Sequence, residues 1–186
     1  MRAVILAGAL WLFFLAAGAF PAKASVTLEP LLAAKDWLNG APSAGSTRGK
    51  VVLVDFYTFS CINCKHVQPN LRTLYRTIPR SDLAIIAVHS PESPFEHVRA
   101  LLLASMRTQG VAWPVAVDND FSIWNDYGIR AWPTQLIFDR HGVLRESVIG
   151  DSQDALVDGW VKRLLAERRV IPVRAARPRP EATPLP

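Results

Sequence analysis

The sequence predicts an α/β domain, a mixed central sheet flanked by helices, and three observations carry that prediction. Two apolar runs, Val51 to Tyr57 and Leu83 to Val88, have strand length and are separated by a segment of helical periodicity. A second pair of strand-like runs, Thr134 to Asp139 and Val143 to Ile149, flanks Arg140-His141-Gly142, which has the composition of a hairpin turn. The two cysteines, Cys61 and Cys64, fall at the junction between the first core strand and the helix that follows. Strands joined through helices demand right-handed parallel crossovers, and a closing hairpin adds an antiparallel edge.

Each element follows from local pattern. Thr27 to Leu38 is expected to be a short leading helix, and Asn39 to Gly49, rich in Gly, Pro and Ser, a loop. Val51 to Tyr57 is a buried strand, apolar except for Asp55. Cys61 to about Arg76 is helical, with Val67, Leu71, Leu74 and Tyr75 on one face and Pro69 inside it. Pro94 to Gln109 is expected as one amphipathic helix with Phe95, Val98, Leu101 and Leu102 inward, stopped by Gly110. Val111 to Val117 is a strand and Phe121 to Tyr127 a short helix ended by Gly128. Asp151 opens the last helix, with Leu156, Trp160, Leu164 and Leu165 as its core stripe.

Composition bounds the function. The chain has 186 residues, half of them hydrophobic, and a formal charge of +5. Five cations lie outside the expected folded body: Arg2, Lys23, Arg174, Arg177 and Arg179. The body is therefore close to neutral, and nucleic-acid binding, which needs a basic face with interleaved aromatics, is not expected. Residues 1–24 read as a signal peptide: Arg2, an apolar run from Val4 to Phe20, and the small-x-small site Ala22-Lys23-Ala24. The alternative is that residues 4–20 remain as a membrane anchor, although the run is slightly short for a span of roughly 20 residues. Residues 25–49 lead into a domain over 50–171. Residues 172–186, rich in Pro and Arg, are expected to be a disordered tail.

Cys61-Ile62-Asn63-Cys64 carries the chemistry. Two thiols at this spacing can cycle between dithiol and disulfide, and a bridge across two residues is a poor structural staple. At a helix N-terminus Cys61 faces free N–H groups and the positive end of the helix dipole, which favour the thiolate. It is the expected nucleophile, and Cys64, one turn on and deeper, the expected resolving thiol. Asp55, an acid in an apolar strand, is expected to hold a raised pKa and to take the Cys64 proton during resolution. His89 ends the second strand on the cysteine side, near Glu92, where it either contacts a partner or is a polar strand end. His66, His97 and His141 carry no assigned role.

Further stretches resemble the thioredoxin fold. Val54-Asp55-Phe56 precedes the cysteine tetrad, Pro69 falls five positions after Cys64, and Tyr127-Gly128-Ile129-Arg130 leads into Trp132-Pro133-Thr134. The stretch between Cys64 and Pro133 is longer than in plain thioredoxin and is similar to the extra strand-helix insert of exported TlpA/ResA-like reductases. Trp37-Leu38-Asn39, Gly49 to Phe56, Ser60 to Cys64, His89-Ser90-Pro91-Glu92 and Pro114 to Asp120 resemble most the thioredoxin-like domain of DipZ-type proteins. The resemblance implies a cis peptide before Pro133, beside the sulfurs. It also implies a substrate groove, for which Trp132, Phe59 and His89 are candidates, with Trp124 behind them. It implies an exported thiol:disulfide oxidoreductase, expected to run as a reductase on protein disulfides, with no bound cofactor and no metal. Cytochrome c apoprotein is one substrate in that group. DipZ proteins carry a membrane electron-transfer domain, so a separate membrane electron donor is expected here. Three alternatives stand beside this one. A Cu(I)-handling protein would use both thiolates and His89. A thiol peroxidase would use Thr58 three residues before Cys61, though Val54 stands where such enzymes carry proline. A redox-gated binding module would show no turnover.

Overall fold

A computed structural model describes residues 26–167. The expected leader (1–24), the tail (172–186) and the last residues of the expected domain lie outside them. The elements in chain order are α1 (Glu29–Leu32), β1 (Trp37–Leu38), α2 (Ala44–Thr47), β2 (Val51–Tyr57), α3 (Ile62–Thr77), β3 (Leu83–His89), a 3₁₀ turn (Pro94–His97), α4 (Arg99–Gln109), β4 (Val115–Val117), α5 (Ser122–Asp126), β5 (Thr134–Phe138), β6 (Leu144–Ile149) and α6 (Asp154–Ala166). They form one six-stranded sheet in the order β1-β4-β3-β2-β5-β6. β2, β3 and β4 are parallel, and β5 runs antiparallel to β2 and to β6. The closing hairpin thus joins the sheet beside its most buried strand, and β1 and β6 are the two edges. Among the described residues, no helix is long and apolar enough to cross a membrane.

Strand alternation divides the core in two. Val51, Leu53 and Tyr57 face a cluster with Val67 and Leu71 of α3, Leu102 and Met106 of α4, and Val157, Val161 and Leu164 of α6. Val52, Val54 and Phe56 face the other side, with Leu31 of α1 and Ile123 and Trp124 of α5. Asp55 shares the face of the first set, so its carboxyl enters the layer that holds Cys64.

Five expectations change, and the first is that the loop expected over Asn39 to Gly49 contains the helical turn α2. The leading helix is a single turn, and Trp37–Leu38 is instead an edge strand antiparallel to β4, pairing Trp37 with Ala116 and Leu38 with Val115. Asn39, left-handed at φ 59, turns the chain away and donates through Nδ2 to the carbonyls of Val111 and Trp113. The long helix from Pro94 begins only at Arg99, because the 3₁₀ turn and extended Val98 (ψ 104) break its phase. Phe95, Val98 and Leu101 consequently stay exposed, while Leu102 and Met106 turn inward. The strand expected from Val111 is confined to Val115–Val117. The last helix starts at Asp154, after Ser152 in a left-handed conformation (φ 60), and its inward stripe is Val157, Val161 and Leu164, with Leu156 outward.

Candidate active site

The C-terminal end of β2 hands the chain to α3 through Thr58-Phe59-Ser60-Cys61. Cys61 is the N-cap of α3 (φ −59, ψ 124), and its sulfur accepts the main-chain N–H of Cys64 at 3.4 Å. One of the free amides of the helix start is therefore aimed at that sulfur. Cys61 is half-buried and Cys64 is 1 % exposed, and both are free thiols. Burial pushes the Cys64 thiol far up. The neighbouring Cys61 and the charge of Asp55 push in the same direction, and a hydrogen bond from the main chain of Thr58 pulls against them. One sulfur is thus accessible and bonded to a helix amide, and the other is buried and held as a thiol. That asymmetry suits sequential attack and resolution.

Asp55 is fully buried, and burial pushes its carboxyl up to about 7, against smaller downward pulls from Gln135 and Gln68. Gln68 Nε2 donates to Asp55 Oδ2 at 3.3 Å. Asp55 Oδ1 has no hydrogen-bond partner among the described residues. A carboxyl that is half-satisfied and titrates near neutrality can exchange a proton with the thiol beside it. Sequence reasoning missed both glutamines. Gln68 was legible, one helical turn past Cys64 on the same face. Gln135 was not, because its place opposite Asp55 depends on the β2–β5 register.

The peptide bond Trp132–Pro133 is cis. The Pro133 carbonyl accepts the Gly150 N–H at 2.9 Å, which ties this loop to the end of β6. Trp132 is half-buried and lies on Trp124 with ring centroids 4.4 Å apart. Asp118 fixes that platform from below, accepting the N–H groups of Ile123 and Trp124 at 3.0 Å and the Ser90 hydroxyl at 2.8 Å.

His89 is not a groove residue. It is 0 % exposed, with its ring stacked under Phe59 at 5.5 Å. Burial pulls its pKa down to about 4. Phe59 is half-buried, edge-on to exposed Phe95 at 5.7 Å. The remaining histidines are exposed, and His66 pairs with Asp151 at 2.7 Å. Among the described residues, no three His, Cys, Asp or Glu side chains are grouped to hold a metal ion. The Thr58 hydroxyl, which a peroxidase would turn toward its cysteine, donates instead to Glu96.

Glu96 was also missed. It is 1 % exposed, and it accepts from the Thr58 hydroxyl and the N–H groups of Ser60, Glu92 and Ser93. Burial alone would raise its pKa, but the bonds from Thr58, Ser60 and Ser93 outweigh it and hold the carboxyl below its usual range. Its trace in the sequence is the Ser93-x-x-Glu96 spacing of a helix-capping box.

Residues 30–147 match the model of the AhpC/TSA family. The chain belongs to that family. DipZ of Mycobacterium tuberculosis is 32 % identical over 174 residues, covering 90 % of this chain and 25 % of DipZ, so the chain spans about a quarter of that relative. The thiol-disulfide oxidoreductase YkuV of Bacillus subtilis is 28 % identical over 75 % of this chain and 95 % of its own. Among solved structures, a thiol-disulfide isomerase from Corynebacterium glutamicum superposes with a TM-score of 0.65 at 25 % identity, covering 73 % of this chain and 94 % of that one. Within its family the chain is thus of the thioredoxin-like, TlpA/ResA-like kind, and its mixed sheet with flanking helices is the thioredoxin fold.

Proposed function

We propose that this protein is an exported thiol:disulfide reductase that works through Cys61 and Cys64. The Cys61 thiolate attacks a protein disulfide and expels one thiolate, forming a mixed disulfide. Cys64, losing its proton to Asp55, attacks the Cys61 sulfur and expels the second thiolate. The substrate leaves as a dithiol and the enzyme as the Cys61–Cys64 disulfide. The observation that carries this reading is the pairing of an accessible N-cap sulfur with a buried thiol beside a carboxyl that titrates near 7. The substrate chain would lie across Trp132, Pro133 and Phe59.

The reductase direction follows the chain's resemblance to the TlpA/ResA-like proteins; an oxidant would need its reduced form stabilised. Residues 1–24 would direct export, either cleaved or retained as an anchor through residues 4–20. A separate membrane protein would re-reduce the disulfide, and apocytochrome c disulfides are a fitting substrate class.

The test is the reduction potential of the Cys61–Cys64 couple in residues 25–186, equilibrated against glutathione and dithiothreitol. A value near or below thioredoxin's, about −270 mV, supports the reductase. A value near the about −120 mV of a strong oxidant overturns the direction.

A further inference from the structure

We propose that Glu96 is a positioning residue for the dithiol, a fixed anionic brace that holds the Thr58–Ser60 loop so that the Cys64 sulfur can reach the Cys61 sulfur in line. This rests on the reading that Cys61 and Cys64 are the redox pair.

Both oxygens of Glu96 are committed, and to two different segments. Oε1 takes the Thr58 hydroxyl and the Ser60 N–H, from the loop that ends in Cys61. Oε2 takes the N–H groups of Glu92 at 2.7 Å and Ser93 at 2.8 Å, from the turn that opens the insert. Breaking this bridge would leave up to four donors in a buried site without their acceptor, so it has one stable arrangement. The two residues it grips bracket the site. Ser60 is bonded in sequence to Cys61, and the main chain of Thr58 hydrogen-bonds Cys64. The insert between β3 and β4 is therefore mechanically part of the redox centre.

The two chemical steps depend on this brace unequally. Attack by Cys61 on an incoming disulfide uses a half-exposed sulfur, and a small disulfide adjusts its own approach. Resolution has no such freedom, because Cys64 must meet the Cys61 sulfur along the axis of the mixed disulfide while both are held by their own chain. Misplacing the loop costs the second step first.

Reduced protein mixed with no more than an equimolar amount of 5,5′-dithiobis(2-nitrobenzoic acid) separates the steps. Attack by Cys61 breaks the reagent's S–S bond, forms the mixed disulfide and releases one thionitrobenzoate. Attack by Cys64 forms the Cys61–Cys64 disulfide, breaks the mixed disulfide and releases the second, so the reagent gains the two electrons the dithiol loses. Glu96→Gln keeps the shape but replaces one acceptor with a donor, and Thr58→Val removes only the hydroxyl. Both are expected to slow the second release about tenfold or more and the first less than about threefold, and Thr58→Ser to restore the second. Equal slowing of both releases, or no change in either variant while circular dichroism shows the parent fold, overturns the proposal. A parent protein that releases no second thionitrobenzoate refutes the dithiol reading itself, an outcome distinct from the failure of Glu96.

Discussion

Asp55 and Glu96 are both buried carboxyls beside the same pair of cysteines, yet they sit at opposite ends of what a buried acid can be. Asp55 projects from the middle of β2 into an apolar layer, where the donors it meets are the side-chain amides of Gln68 and Gln135. Glu96 sits on a turn where backbone N–H groups are free to point at it, and it collects four donors. The same loss of water therefore raises one group to about 7 and leaves the other below its usual range. An acid that titrates near neutrality can move a proton, whereas one that stays ionised can only hold its surroundings in place. The lesson is that burial alone does not assign a role to a carboxyl; the supply of N–H and O–H donors does.

The comparison breaks most visibly in stability. Asp55 has a folded-state pKa of about 7 against an ordinary 3.8, so it favours folding where it is protonated. That contribution is lost as pH rises through this window, leaving a cost of up to about 4 kcal/mol at high pH. Asp55→Asn is expected to be more stable than the parent at about pH 8, with the difference vanishing only at about pH 3, below the ordinary carboxyl pKa, by denaturant unfolding at both. A variant less stable than the parent at pH 8 would show that Asp55 is satisfied rather than strained.

Kinetics give the next effect. Asp55→Asn should slow resolution of a mixed disulfide about 100-fold and remove the rise of that step with pH through about 7. Single-turnover release measured from pH 6 to 9 checks both, and an unchanged profile would remove Asp55 from proton transfer.

Glu96 should show the opposite pH slope. Its depressed pKa means that its stabilisation is present above the ordinary carboxylate range and lost as pH falls. Glu96→Gln is expected to cost about 2 kcal/mol near pH 7, with the deficit narrowing toward acid. A deficit that stays constant with pH would mean that shape rather than charge is what Glu96 supplies.

The smallest effect tunes the first group. Gln68→Leu removes the bond that lowers the Asp55 pKa, so the midpoint of the resolving step should move up by about half a unit to one unit. A downward movement would assign Gln68 the reverse influence.

Chemistry that depends on neighbours in sequence was legible in advance. Cys61 and Cys64 are set by the strand-to-helix junction, and Asp55 by its isolation in an apolar strand. Trp132–Pro133 was legible only through resemblance. Helix phase was less legible: the run from Pro94 has helical spacing, but the capping turn at Ser93–Glu96 absorbs its first residues and turns Phe95 and Val98 outward. Trp37–Leu38 looked helical because its pairing partner, β4, lies far along the chain.

By itself, then, the sequence determined an α/β sheet, a dithiol at a helix start and an acid six residues before it in an apolar strand, because hydrophobic period and helix capping act over a few residues. The tertiary structure alone decided that His89 lies under Phe59 and that Gln135 faces Asp55 across β2 and β5. It alone decided that Glu96 reaches 36 residues back to the Ser60 amide. Those contacts arise from sheet order, register and the closing of a loop, and they determine which buried polar groups find donors.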